Sequence, residues 1–169
     1  MPQLPTANAA RVSLLHGAVG VGEHHDSDTA RHHLYDWMLS GLVTQIVLEL
    51  DDFANVPLGE TVQVLGFIDN QWGNDIGLLD LWTLAENLNI EVRGWDPGDQ
   101  LGLTMAQSLA FRNNQIVASF INEHAPGVPH AAVPNAVGVV LLFGVGHFGP
   151  TPMTINMLLG DALPWVDLH

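Results

Sequence analysis

Apolar and polar positions fall in blocks along this chain, and the period changes from block to block. Residues 12–21 lead into Ala18-Val19-Gly20-Val21-Gly22, a near-continuous apolar run that predicts a buried strand. From about Asp28 the period becomes helical: Ala30, Leu34, Trp37, Met38 and Gly41 share one stripe, with Ser27 or Asp28 as the cap. Residues 44–50 predict a second strand ending in Glu49-Leu50-Asp51-Asp52. Residues 53–75 carry the weakest pattern, with a helix predicted over 61–72. Residues 76–88 predict a helix with Leu78, Leu81, Trp82 and Ala85 inward, and residues 90–95 a third strand closed by the turn Asp96-Pro97-Gly98-Asp99.

The longest helix is predicted over 103–121. Its stripe of Met105, Leu109, Arg112, Ile116 and Phe120 sets an arginine within the apolar face. Residues 124–136 contain Pro126, Pro129 and Pro134 and predict a loop, placed as a lid or substrate wall. Residues 137–145 are apolar at alternate and intervening positions alike, as in a central strand. A short helix over 151–159, with Pro152 near its start, and an edge strand over 164–168 complete the pattern; residues 1–11, with Pro2 and Pro5, predict a loose segment. Alternating strands and helices predict an α/β fold with a largely parallel central sheet flanked by helices, in one compact domain over 1–169.

Composition narrows the function. The 169 residues contain no cysteine, which excludes cysteine nucleophiles, thiolate zinc sites and lipid-anchored cysteines. The formal charge is −14, with four arginines and no lysine, so nucleic acid and anionic membranes are poor partners. The missing lysines fit an acidic proteome, and equally a bacterial protein delivered into a eukaryotic cell, where lysine invites ubiquitination. No apolar run is long enough to span a membrane, and residues 1–11 lack the pattern of a signal peptide. The expected location is the bacterial cytoplasm, or a host cell after secretion and translocation.

The chemistry lies at strand exits. Ligands of open parallel sheets bind outside the carboxyl ends of the strands. Four predicted strands end there in titratable groups: Glu23 and His25, Glu49, Asp96, and His147. Glu23 and His25, two residues apart, point the same way in extended backbone. Histidines near neutrality, oriented by carboxylates, activate a water and protonate a leaving group; the same set suits a divalent metal without requiring one. Each residue has a plainer alternative. Glu49 lies beside Asp51 and Asp52 in what reads equally as a solvated strand end, and His25 lies among His24, His32 and His33. Arg31 and Arg112 suit buried ion pairs as well as substrate clamps. His24, His32, His33, His124, His130 and His169 are expected at the surface.

Gly22-x-x-His25 and Gly144-x-x-His147 resemble the paired Gly-x-x-His motifs of the TIKI/TraB/GumN group. Arg112-Asn113 resembles an Arg-Asn pair on the helix before the second motif. The wider superfamily includes erythromycin esterases, ChaN-type haem-binding lipoproteins, mitogenic-toxin domains, and the Ras/Rap1-specific endopeptidase of multifunctional bacterial toxins. The endopeptidase pattern of Glu-x-His, a Glu ending the next strand and a late His is similar to Glu23, His25, Glu49 and His147. The resemblance covers about residues 18–52 and 109–160. It implies a hydrolase, a peptidase-like toxin or effector domain acting on a protein, with a host protein as one candidate. Catalysis would fall to Glu23, His25, Glu49 and His147, and substrate binding to Arg31, Asp96 and Arg112. No metal ligand is assigned and no cofactor is required, although a divalent metal is compatible. The alternative is a ChaN-like protein that holds haem or metal without catalysis. The chain is shorter than most members and lacks the anchor of the TIKI proteases and the cysteine of the lipoproteins.

Overall fold

The structure is a computed structural model that describes residues 3–51 and 57–169. Its strands are β1 (Gln3–Leu4), β2 (Val19–Glu23), β3 (Gln45–Leu48), β4 (Glu91–Gly94), β5 (Val139–Gly144) and β6 (Trp165–Leu168). They form one sheet in the order β1-β6-β2-β5-β3-β4, and every neighbouring pair is parallel. The helices are α1 (Ala7–Ser13), α2 (Thr29–Leu39), α3 (Leu58–Trp72), α4 (Leu78–Leu88), α5 (Met105–His124), α6 (Ala132–Asn135) and α7 (Ile155–Leu158).

Strand periodicity divides the core into two layers. Val19, Val21, Ile46, Leu48, Val140, Leu142, Val166 and Leu168 pack with residues of α1 to α4. Val47, Val139, Leu141, Phe143 and Trp165 point the other way and pack with α5, α6 and α7. A sheet covered on both faces requires continuous apolar strands, and β2 and β3 are buried at every position. The register aligns the carboxyl ends: Glu23 is level with Gly144, and Leu48 with both Leu142 and Gly94. Among the described residues, no helix is long and apolar enough to cross a membrane.

Several sequence expectations change. Residues 3–11 are not loose: Thr6 caps α1 by accepting from the Ala9 amide, and β1 pairs with β6. Val12 and Ser13 therefore end a helix, and β2 starts later than expected. The segment over 124–136 is not an irregular loop, and it does not reach the strand exits. It folds into a 3-10 turn and α6, with Ala132 and Val133 buried and the Val133 carbonyl accepting from Ala18 just before β2. That contact places it at the amino end of the sheet, away from the strand exits. β6 is internal, between β1 and β2, so the edge falls to the two-residue β1. In α5, Met105 is exposed, and the buried set is Ser108, Asn113, Ile116, Val117 and Phe120. The last short helix starts at Ile155, leaving Pro152 outside it. Asp52 and the part of the weak stretch over 53–56 lie outside the described residues.

β4 leaves the sheet under the backbone of the segment after β3. A Cβ on Gly94 would collide with the Asp51 and Leu50 carbonyls, and backbone atoms cannot swing aside. Gly94→Ala is expected to lower stability by roughly 1–3 kcal/mol, as overpacking does. Denaturant unfolding checks this: the midpoint should fall with the slope unchanged.

Candidate active site

β2 delivers the first half of the site. Val19 and Val21 face the α1–α4 layer, so Glu23 faces it too, and His25 returns to the same side. Glu23 Oε1 lies 3.1 Å from His25 Nδ1. Glu23 is buried, and its charge is met by Arg31 in the first turn of α2. Arg31 Nε donates to Oε2 at 2.8 Å and Nη2 to Oε1 at 3.2 Å. Arg31 is itself only 1% exposed, and its Nη1 donates to the Ile76 carbonyl at 3.2 Å. Asp69 lies 3.8 Å from the same nitrogen and accepts from the Leu78 and Leu79 amides at the start of α4. The arginine thus ties β2 to the junction of α3 and α4.

The second half gathers on the other face. Glu49 is the first residue past β3. Its Oε2 accepts from the Gly144 amide at 2.6 Å. Its Oε1 accepts from Arg112 Nη2 at 2.7 Å and faces His147 Nε2 at 3.1 Å. Arg112, on α5, also forks onto buried Asp96, with Nε donating to Oδ1 at 2.7 Å and Nη2 making a shorter contact to Oδ2. Its Nη1 donates to Asp99 at 3.2 Å. His147 Nδ1 is 2.6 Å from Asn113 Oδ1. Because Asn113 Nδ2 donates to the Met153 carbonyl at 2.8 Å, the asparagine oxygen faces the ring and His147 Nδ1 is the donor. Neutral His147 therefore carries its lone pair on Nε2; with that nitrogen protonated, it donates to Glu49.

The halves meet where His25 Nε2 stands 3.9 Å from Glu49 Oε2, beyond direct hydrogen bonding. A Cβ on Gly144 would lie 3.3 Å from His25 Nε2 and 3.2 Å from Glu49 Oε2. A Cβ on Gly22 would lie 3.3 Å from Val145 Cα. A side chain at either glycine of the two Gly-x-x-His stretches would thus crowd its neighbours by a few tenths of an ångström. A cavity of about 210 Å³ opens here, lined by Glu23, His25, Glu49, Trp72, Leu78 and Leu142 among others. The Trp72 ring lies 5.0 Å from that of His25. A larger cavity, about 850 Å³, lies at the amino ends of the strands, around Gln45, Arg93, Glu123 and His124, and contains none of these residues.

Burial alone would raise the Glu49 pKa, but the hydrogen bond and charge of His147, the Gly144 amide and the charge of His25 bring it down to about 2. Burial likewise opposes ionisation of Glu23, and the His25 and Arg31 hydrogen bonds reverse it, leaving the carboxyl below its ordinary value. The Glu23 hydrogen bond raises the His25 pKa against the effect of burial. Asp96 chiefly raises that of Arg112.

All seven residues singled out in the sequence converge. Glu23, His25 and Arg31 form one cluster, Glu49, Asp96, Arg112 and His147 the other, and Glu49 faces both. Sequence reasoning missed the Gly144 amide, Trp72, and Asn113 as the partner of His147. Asn113 had a signal: it shares a face of α5 with Ile116, Val117 and Phe120, an uncommon place for an unpaired amide. Glu49, Asp96 and His147 also bring donor atoms within 4.8 Å of one another, as a metal requires. Arg112 Nη2 already contacts all three, at 3.4 Å from His147. The guanidinium holds the cation position, so this set does not fit a metal with Arg112 in place.

No protein-family model matches the chain, and no curated protein sequence matches it. Fold and site together define an α/β protein with a carboxylate–histidine cleft at the carboxyl edge of a parallel sheet. Among solved structures, the type III effector HopBA1 has a similar fold, with a TM-score of 0.51 and 18% identity over 95% of this chain and 78% of that one.

Two outcomes are expected. Arg31→Met strands a buried carboxylate and should cost about 3–5 kcal/mol, partly recovered in Glu23→Gln/Arg31→Met. Urea denaturation of wild type and the two variants measures this. The second outcome concerns pH. Glu49, lowered on folding, contributes stability that is complete above its ordinary 4.5 and is lost as pH falls through about 2. His25, raised on folding, contributes stability that is complete below its ordinary 6.5 and is lost as pH rises through its folded value. The contribution of these two groups should therefore peak between 4.5 and 6.5. Comparing wild type with Glu49→Gln and His25→Ala by denaturation from below that range to above it checks both signs.

Proposed function

We propose that this protein is a metal-independent hydrolase of the TIKI/erythromycin-esterase-like kind, a peptidase-like effector acting on a protein substrate. The observation that carries the reading is His25. Its Nδ1 is held by Glu23, which is held by Arg31, while Nε2 is directed toward Glu49 across a gap that one oxygen atom bridges.

In this reading His25 is the general base. With Nδ1–H donated to Glu23, the neutral ring presents its Nε2 lone pair to a water lying between it and Glu49. The water oxygen bonds to the scissile carbonyl carbon while its proton passes to Nε2. The carbon–nitrogen bond then breaks, and the imidazolium returns the proton to the leaving amine. Arg112 supplies positive charge beside Glu49, against the negative charge developing on the carbonyl oxygen, with His147 Nε2 next to it. Of the three residues expected to bind substrate, Arg112 is 15% exposed, which supports contact with it. Arg31 and Asp96 are buried and act as positioning residues, through Glu23 and Arg112.

Scale supports a protein substrate. The cavity is below the range of about 300–1,000 Å³ usual for small-molecule sites and suits a single side chain. Trp72, beside His25 in the cavity wall, is an exposed apolar group at the cleft. The same small volume, and the seat taken by Arg112, weigh against holding haem or metal there. The effector role is supported by the fold shared with a type III effector and by a lysine-free chain.

The test is appearance of new N-termini when the protein is incubated with eukaryotic cell lysate. His25→Ala should lower the rate by about 10²–10⁴-fold, the usual worth of a positioned acid–base group. Gly144→Ala, which fills the gap, should lose at least tenfold while keeping a near-normal unfolding midpoint. The rate should rise with pH through a His25 value above 6.5 and survive chelation. Wild-type turnover in Gly144→Ala would remove the bridging-water site. Loss of activity on chelation, restored by a divalent ion, would overturn the metal-free mechanism.

A further inference from the structure

Strand alternation that sends Glu23 and His25 to one face sends His24 to the other. There it meets the end of β6. Gly22 pairs with Asp167 and Glu23 with Leu168, so the next step of the parallel register sets His24 beside His169. Asp167 and His169, two residues apart, share the face that carries Trp165. Three metal-ligating side chains on two hydrogen-bonded strands are thus brought together by the backbone register itself.

The side chains complete what the register begins. His24 Nε2 lies 2.9 Å from Asp167 Oδ1, and His169 Nδ1 lies 3.6 Å from the same oxygen. The two imidazole rings are 5.1 Å apart, and one donor atom from each residue falls within 4.8 Å of the others. Tetrahedral zinc with ligands at about 2.0–2.1 Å places neighbouring donors about 3.3 Å apart. The two measured separations bracket that value. Among the described residues no arginine pairs with these side chains, unlike the Glu49, Asp96 and His147 set. All three are partly or fully exposed, which leaves a fourth position open to water.

We infer that His24, Asp167 and His169 form a binding site for a first-row divalent ion of the zinc type. Two imidazoles and one carboxylate select zinc and its neighbours over magnesium and calcium, which take oxygen ligands. Bound there, the ion would join the ends of β2 and β6 one residue from His25. The inference stands apart from the proposed hydrolase, which uses none of these three side chains.

Calorimetric titration of the metal-free chain with zinc chloride tests it. One equivalent is expected to bind at micromolar or tighter affinity, with no comparable heat from magnesium or calcium, and to raise the unfolding temperature by mass action. His24→Ala and Asp167→Asn should each weaken binding at least tenfold, with circular dichroism confirming the fold, while His147→Ala binds as wild type. Binding that is only weak and non-stoichiometric, as scattered surface histidines give, would overturn the site. So would binding that survives His24→Ala and Asp167→Asn, or that disappears in His147→Ala.

Discussion

Two arginines, one from each helical layer, hold buried carboxylates at the top of the sheet, and the site depends on them. Arg31 of α2 fixes Glu23 from one face; Arg112 of α5 fixes Asp96 and Glu49 from the other. Removing ions from water costs more than most single contacts return, so such pairs are a weak source of net stability. Their effect here is positional. Each arginine also reaches elements beyond its carboxylate, Arg31 to Ile76 and Asp69, Arg112 to Asp99 and His147. Displacing either guanidinium would leave several polar groups unpaired at once.

Glu49 joins the two systems across the sheet edge. One oxygen takes the Gly144 amide and faces His25; the other takes Arg112 and faces His147. The arrangement requires β2, β3 and β5 to end within two residues of one another, which the parallel register provides. Side chains at two positions would crowd it. Gly22 admits Val145, and Gly144 leaves open the space between His25 and Glu49. The shared Gly-x-x-His spacing therefore has one steric meaning at each exit: the glycine lets the opposing strand end approach, and the histidine arrives on the turn that follows.

Much of this was legible in the sequence because burial on both faces of a parallel sheet writes long apolar runs. A polar residue at the end of such a run then stands out, as Glu23, Glu49 and His147 do. An arginine in the stripe of α5 stood out for the same reason. What escaped depends on contacts remote in sequence. Residues 7–13 carry mostly small or polar side chains, and Ala10 alone is buried, so no stripe announced α1. Three prolines disguised α6, whose burial comes from packing beneath the start of β2. β6 looked like an edge because Asp167 interrupts its apolar pattern, and its true neighbour is a strand of two residues at the other end of the chain. The role of Asn113 emerges only when β5 brings His147 against α5.

The central claim is that Glu49 couples two oppositely oriented histidines in one site. Long-range proton–nitrogen NMR of the histidine rings tests it most directly, in wild type and Glu49→Gln. The account predicts that neutral His25 and neutral His147 both carry the proton on Nδ1, and that His25 titrates above 6.5 in wild type and lower in the variant. A His25 titration indifferent to Glu49→Gln, or a neutral His147 protonated on Nε2, would contradict it.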